Sequence, residues 1–160
     1  RTAYYKTFSS PMQRALAAYC RSGGNLLVSG AYIGSDMNDS QGNREFTQNV
    51  LKYRFGNSLQ TSGGQIGIQG LGRSLSIPRL PNEQAYPVTA PDCILPMATA
   101  FPVMTYTDGN QPAAIAYKGN DYRTFVMSFP FESIREETNR TAVMASILHF
   151  FTADNTGMNR

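Results

Sequence analysis

The stretch that decides the fold is YCRSGGNLLVSGAYIG, residues 19–34. Upstream of it, Ser10 is a suitable N-cap and Pro11 suits the first helical position, so the sequence predicts a helix that ends at the glycine pair 23–24. The apolar run over residues 25–30 shows no alternation, which is typical of a strand buried on both faces, as in a parallel sheet. Helix, tight turn and buried strand together indicate half of a βαβ unit.

The middle of the chain is predicted to be irregular. Polar residues 34–43 indicate a loop at the carboxyl end of the first strand, and a helix is predicted over 43–54. Residues 56–96 are dense in Gly and Pro, so only short strands are predicted there, near 65–69 and 74–77. The glycines read G-x-x-G-x-G and no strong helix follows them, which argues against a dinucleotide-binding loop.

The last third of the chain carries three strand patterns and one helix pattern. Turn signals separate residues 103–107, 113–118 and 122–129, which predicts an antiparallel meander. The S-x-x-E motif at 133–136 predicts a capping box at the start of a terminal helix. We expect one apolar stripe on that helix, formed by Met144, Ile147, Leu148 and Phe151.

These patterns predict a single α/β domain over residues 1–160. Its expected architecture is a three-layer sandwich with a mostly parallel sheet plus antiparallel strands near the C-terminus. Because the chain begins at Arg1 with neither Met nor a signal peptide, we expect it to be a piece of a longer protein.

Composition excludes several classes of function. Charged residues make up only 16% of the chain, against about 25% on average. The net charge is +3 and basic residues never occur three in a row, so no nucleic-acid partner is expected. No apolar run reaches the length of a membrane span, so none is predicted. Cys20 and Cys93 allow either one disulfide or two buried thiols, and without a CxxC pair no thiolate metal site is expected. No metal and no other cofactor is predicted for this chain.

Few residues could carry catalysis. The one histidine, His149, falls off the apolar stripe of the terminal helix, so a histidine-dependent triad is not expected. Asp36 follows the first strand, at the edge where open α/β sheets place ligands. Glu132 falls where a strand passes into a helix, and it is the one partner with which Asp36 could form a glycosidase pair. Tyr32, Tyr86 and Tyr106 fit either sugar stacking or a partly buried core.

Two segments resemble the class I glutamine amidotransferase-like, flavodoxin-like fold. Residues 19–34 are similar to its helix, Gly-Gly turn, strand and G-x-C-G-G elbow, with Gly30 at the cysteine position. The sequence FPFES at 129–133 resembles that family's F-H-P-E-S segment, with Pro130 at the histidine position and Glu132 at the glutamate position. The resemblance implies a pseudoenzyme, because both the nucleophile and its base are replaced.

The motifs GGNLLVSGAYIGSD, APDCILP, FPFESI and ILHFF also resemble the C-terminal region of secreted Bacteroidetes proteins described as xanthan-lyase-related. That resemblance implies a periplasmic or extracellular location. The resulting hypothesis is a non-catalytic module of an exported protein that binds a polysaccharide or another domain of its parent protein. The alternative is a polysaccharide lyase or hydrolase, with Tyr32 assisted by Arg44 or Arg73. The candidate ligand-binding residues are Ser29, Tyr32, Ser35, Asp36 and Glu132.

Overall fold

The computed structural model describes residues 5–83 and 87–153. In these residues the chain forms helices α1 (Ser10–Arg21), α2 (Gln41–Phe46) and α3 (Glu137–Thr152), a π-helix (Thr47–Leu51) that continues α2, and a short 3₁₀ helix (Phe131–Ser133). The strands are β1 (Leu26–Ser29), β2 (Tyr53–Ser58), β3 (Gln65–Gly70), β4 (Arg73–Pro78), β5 (Asp92–Pro96), β6 (Phe101–Tyr106), β7 (Pro112–Lys118) and β8 (Arg123–Met127).

Six strands form one mixed sheet in the order β1-β8-β7-β6-β3-β4. Only the pairing of β1 with β8 is parallel, in a register that runs from Leu26 opposite Thr124 to Ser29 opposite Met127. The other neighbours in this sheet are antiparallel. β2 and β5 form a separate antiparallel ribbon.

The predicted mostly parallel, flavodoxin-like sandwich is therefore wrong. Parallel neighbours need a long crossover connection, whereas antiparallel neighbours can be joined by a short turn. Here β3–β4 and β6–β7–β8 follow one another through short turns, so most pairings are antiparallel. The Asp108-Gly109 signal marks one such turn, and Gly109 adopts a φ of 73° there.

The central strands β7 and β8 are covered on both faces of the sheet, which explains why apolar residues follow one another in them without alternation. On one face, Ile115 and Val126 pack in a cluster with residues of α1 and α2. On the other face, Ala116 and Phe125 pack in a cluster with residues of α3. A central antiparallel strand covered on both sides carries the same apolar run as a parallel strand, so sequence alone does not separate the two.

Helix α3 differs from its prediction in two ways. It begins at Glu137 with Glu136 as N-cap, because the S-x-x-E motif lies in the 3₁₀ helix and its exit, so no capping box forms. Its buried residues are Val143, Ile147 and Phe150, whereas Leu148 is 55% exposed. The predicted stripe is therefore wrong at Leu148, because apolar residues lie on more than one side of this helix.

Within the described residues, no helix combines the length and the hydrophobicity that a membrane crossing requires.

Candidate functional site

The carboxyl end of β1 lies against the turn that follows β8. Ser29 Oγ accepts a hydrogen bond of 3.3 Å from the backbone N–H of Phe131. Gly30 N–H donates to the carbonyl of Met127 at 3.1 Å. These two contacts place Ser29 beside the turn that carries Glu132, so two of the predicted site residues share one edge of the sheet.

The loop of residues 30–38 is held from inside by Asp92, the first residue of β5. Asp92 is fully buried. Its Oδ2 accepts hydrogen bonds from Gly34 N at 3.1 Å, Ser35 N at 2.7 Å and Ser35 Oγ at 2.9 Å. Its backbone N–H also donates to the carbonyl of Ala31 at 2.8 Å. The loop therefore has a defined shape that depends on one buried carboxyl group.

The environment of Asp92 favours its neutral form. Burial raises the pKa of this carboxyl group, and the hydrogen bonds from Ser35 and Gly34 act in the opposite direction. Its Oδ1 is buried without a hydrogen-bond partner among the described residues. Asp92 is not among the predicted site residues, although an Asp between Pro91 and the apolar residues of β5 is a signal in the sequence for a buried carboxyl group.

Asp36 fastens the outer side of the same loop to the start of the chain. Its Oδ2 accepts from both the backbone N–H and the Oγ1 of Thr7 at 2.7 Å. Lys6 Nζ donates to the Asp36 carbonyl at 2.6 Å and lies 2.6 Å from Asp39 Oδ2. The hydrogen bond to Asp39 raises the pKa of Lys6, and the same bond lowers the pKa of Asp39. Asp36 is thus a structural anchor, and its carboxylate faces residues 6–7.

The predicted aromatic residues divide into exposed and buried ones. Tyr32 is 51% exposed on the loop of residues 30–38. Tyr106 is fully buried, and its hydroxyl donates to the carbonyls of Asp92 and Ser128, both at 3.1 Å. Tyr86 lies outside the described residues. Of the two predicted tyrosines that the structure describes, Tyr32 is therefore the one whose ring a ligand could reach.

The geometry at the predicted elbow leaves little room for a nucleophile. A Cβ atom on Gly30 would lie 2.7 Å from Ile33 Cγ2, so any side chain there requires Ile33 to move. Pro130 is buried, and His149 is exposed in the last turn of α3. In the described part of the chain, no group of three or more His, Cys, Asp or Glu side chains could hold a metal ion.

Both cysteines are free and buried, and they belong to different apolar clusters. Burial raises the pKa of each thiol, that of Cys93 to about 11. The structure therefore supports the prediction of two buried thiols over the alternative of a disulfide.

An apolar groove opens next to the turn of residues 130–133, on the outward side of α3. Its volume is about 520 Å³, and its lining residues are Phe131, Glu137, Arg140, Thr141, Met144, Ala145 and Leu148. We call it the α3 groove. Phe131 and Met144 are partly exposed, and Leu148 is more than half exposed. This surface is not predicted from the sequence, because Met144 and Leu148 fall on the apolar stripe that was expected to face the core.

The fold is that of a mixed α/β domain found within larger glycoside hydrolases. Gan42B, a GH42 β-galactosidase from G. stearothermophilus, matches with a TM-score of 0.60 at 11% identity, over 89% of this chain and 20% of that chain. A β-galactosidase from Bacillus circulans sp. alkalophilus matches with a TM-score of 0.57 at 13% identity, over 88% of this chain and 21% of that chain. The exo-β-1,4-mannosidase Op5Man5 from Opitutaceae bacterium strain TAV5 matches with a TM-score of 0.59 at 12% identity, over 92% of this chain and 24% of that chain.

These similarities show the fold alone, because the identities are low and the chain spans about a fifth to a quarter of each neighbour. No protein-family profile and no curated protein matches the sequence. The glutamine amidotransferase-like assignment, and with it the xanthan-lyase-related one, is wrong, because the solved structures reported above are glycoside hydrolases and the sheet is mainly antiparallel.

Proposed function

We propose that this chain is a non-catalytic docking module of a larger, exported protein, and that the α3 groove binds another domain of that protein. The observation that carries the proposal is the exposure of Met144 and Leu148 on a helix whose opposite side packs into the core. A helix that is apolar on both sides is expected where both sides are covered. Contiguous exposed apolar surface commonly marks an interaction site.

Two further observations support docking. Each of the three glycoside hydrolases is several times longer than the matching portion, so in those proteins this fold occurs beside other parts of the same chain. The low share of charged residues also suits an exported protein with few solvated charges. Both features fit a module that works in contact with its neighbours.

Catalysis at the carboxyl end of β1 has less support. The Ser35 hydroxyl donates a hydrogen bond to Asp92, and the Asp36 carboxylate accepts one from Thr7, so both groups are engaged within the protein. A glycosidase needs two carboxyl groups positioned across one bond of the substrate. Because Asp36 serves as an anchor, the pair of Asp36 with Glu132 is a poor basis for that chemistry. A hydrolase that uses Asp36 and Glu132 as its two carboxyl groups is therefore disfavoured.

Methionine footprinting tests the docking proposal. The isolated chain and the natural-length protein would each be treated with dilute hydrogen peroxide, and oxidation of Met144 followed by mass spectrometry. We expect Met144 to oxidise several-fold more slowly in the natural-length protein, because a neighbouring domain covers it. Met12, which is 47% exposed on α1, is the internal control and should oxidise equally in both.

A charge in the groove separates docking from general stabilisation. Leu148→Glu should remove the protection of Met144, whereas Leu80→Glu, at a side chain that is 53% exposed elsewhere, should leave it intact. Equal oxidation of Met144 in the two proteins would overturn the proposal. So would protection in the isolated chain that grows with its concentration, because that result would make a second copy the partner.

A further inference from the structure

A second groove lies between α1 and the α2–π-helix segment, away from the α3 groove. Its volume is about 420 Å³, and its lining residues are Gln13, Arg14, Ala17, Ala18, Arg21, Gly42, Glu45, Phe46, Asn49 and Val50. We call it the α1 groove. Gln13 Nε2 donates to Asn43 Oδ1 at 2.8 Å and so joins its two walls. Small residues keep it open, since a Cβ on Gly42 would meet no atom within 4 Å.

Two arginines line this groove at a regular spacing. Arg14 and Arg21 are seven residues apart on α1, so both lie on the same face, about 10 Å apart along the helix axis. In residues 5–83 and 87–153, neither guanidinium group makes a hydrogen bond or an ion pair. An unengaged guanidinium binds a carboxylate through two parallel hydrogen bonds. The spacing therefore suits a ligand with two carboxylates about 10 Å apart.

The remaining polar groups of the α1 groove narrow the class of ligand. Glu45 and Asn49 are exposed in the wall opposite α1. Glu45 Oε1 accepts a hydrogen bond from Gln41 at 3.0 Å. A carboxylate in the wall repels a purely anionic ligand, but it accepts hydrogen bonds from hydroxyl groups. A ligand that carries both carboxylates and hydroxyls satisfies both walls.

An acidic peptide or helix fits this groove less well. Interfaces between proteins depend on a few large side chains buried in well-packed pockets. The large apolar residues here, Phe46 and Val50, are themselves buried, at 6% and 4% exposure, and the accessible apolar lining consists mainly of Ala17 and Ala18. The groove therefore offers polar contacts and little apolar anchorage.

We propose that the α1 groove binds an oligosaccharide that contains uronic acid residues. Arg14 and Arg21 each pair with one carboxylate. Glu45 accepts hydrogen bonds from the sugar hydroxyls between them, and Asn49 both donates to and accepts from these hydroxyls. This site shares no lining residue with the α3 groove, so its test is independent of the test of the docking proposal.

Titration calorimetry at low salt with a short oligogalacturonide tests the site. We expect saturable binding to the wild-type chain, about tenfold weaker in Arg14→Gln and in Arg21→Gln and abolished in the double variant. Arg135→Gln, at an exposed arginine outside the groove, should bind like wild type. Unchanged melting temperatures would show that the variants fold. A neutral galacto-oligosaccharide of equal length should not bind.

Asn49→Leu separates a sugar from an acidic peptide without changing the charge of the groove. It should weaken oligogalacturonide binding several-fold, because an amide that exchanges hydrogen bonds with the sugar hydroxyls is lost, and it should leave any binding of polyglutamate, which has no hydroxyls, unchanged. The proposal is overturned if the oligogalacturonide does not bind, if the double variant binds it as wild type does, or if polyglutamate binds the wild-type chain equally well.

Discussion

Replacing Asp92 with alanine tests the claim that one buried carboxyl group holds the loop of residues 30–38. The substitution removes the acceptor of three hydrogen bonds, two from Ser35 and one from Gly34. Each ordinary hydrogen bond contributes about 1 kcal/mol net, and a buried donor left without a partner costs about 1–3 kcal/mol. Gly34 is buried, whereas Ser35 is exposed and water can replace its partner.

The expected loss in the free energy of unfolding is therefore about 3 kcal/mol, reduced somewhat because the unpartnered Oδ1 also disappears. Urea unfolding followed by far-UV circular dichroism measures it. The matched control is Asp121→Ala at an exposed turn, which should change stability by less than about 0.5 kcal/mol. A loss at Asp92 no larger than at Asp121 would refute the reasoning, because the loop would then hold its shape without the carboxyl.

The pH dependence of stability gives an independent check on Asp92. Burial raises its pKa above the ordinary value of 3.8, so the folded state favours the neutral carboxyl. Its contribution is therefore full below pH 3.8 and is lost as the pH rises through the folded-state pKa. Asp92→Asn keeps an acceptor for Gly34 and Ser35 but cannot ionise. The stability of wild type relative to Asp92→Asn should thus fall as the pH rises from 4 towards 7, and a rise over that range would contradict the assignment.

Two further predictions concern backbone space and thiol reactivity. Gly70 has a φ of 155° and a Cβ there would overlap the carbonyl of Val103, so Gly70→Ala should cost more than about 1 kcal/mol in urea unfolding. Gly42→Ala, in open space on α2, should raise the free energy of unfolding by about 0.5–1 kcal/mol. If Gly42→Ala destabilised the protein more than Gly70→Ala, the surroundings assigned to both glycines would be wrong. Because burial raises the pKa of Cys20 and Cys93, Ellman's reagent at pH 8 should label the native chain slowly and release two equivalents at once in urea. A fast native reaction, or no thiol in the unfolded unreduced chain, would disagree with two buried free cysteines.

The elements that the sequence predicts well are those fixed by local signals. Helix α1 forms because a serine cap, Pro11 and the glycine pair 23–24 act within a few residues of one another, although the N-cap is Ser9 rather than Ser10. Strands β3 and β4 form close to the two short strands predicted over residues 65–69 and 74–77, and the structure pairs them as a hairpin. In each case the deciding contacts lie within one element or between adjacent ones.

The failures concern contacts between distant parts of the chain. The predicted helix over 43–54 instead ends in the π-helix at Leu51, where Lys52 adopts a left-handed φ of 68° and Tyr53 begins β2. The spacing of the apolar residues Val50 and Tyr53 fits both a continuous helix and a helix that ends before a strand. The partner of β2 is β5, which follows it by more than thirty residues. Asp92 likewise gains its role only once the loop of residues 30–38 packs on it, so no local pattern could reveal it.

The polar residues at the carboxyl end of β1 hold the adjacent loop in place. This arrangement favours a preformed binding surface over a flexible one. Asp92 holds the loop of residues 30–38 from within, and Asp36 holds it from outside through Lys6 and Thr7. A loop fixed on both sides loses little conformational entropy when a partner binds, so less of the binding free energy is offset. Ser29 joins this edge to Phe131, which also lines the α3 groove. The anchored loop and the apolar groove are therefore adjacent parts of one surface, and we expect the docking domain proposed for the groove to contact the anchored loop as well.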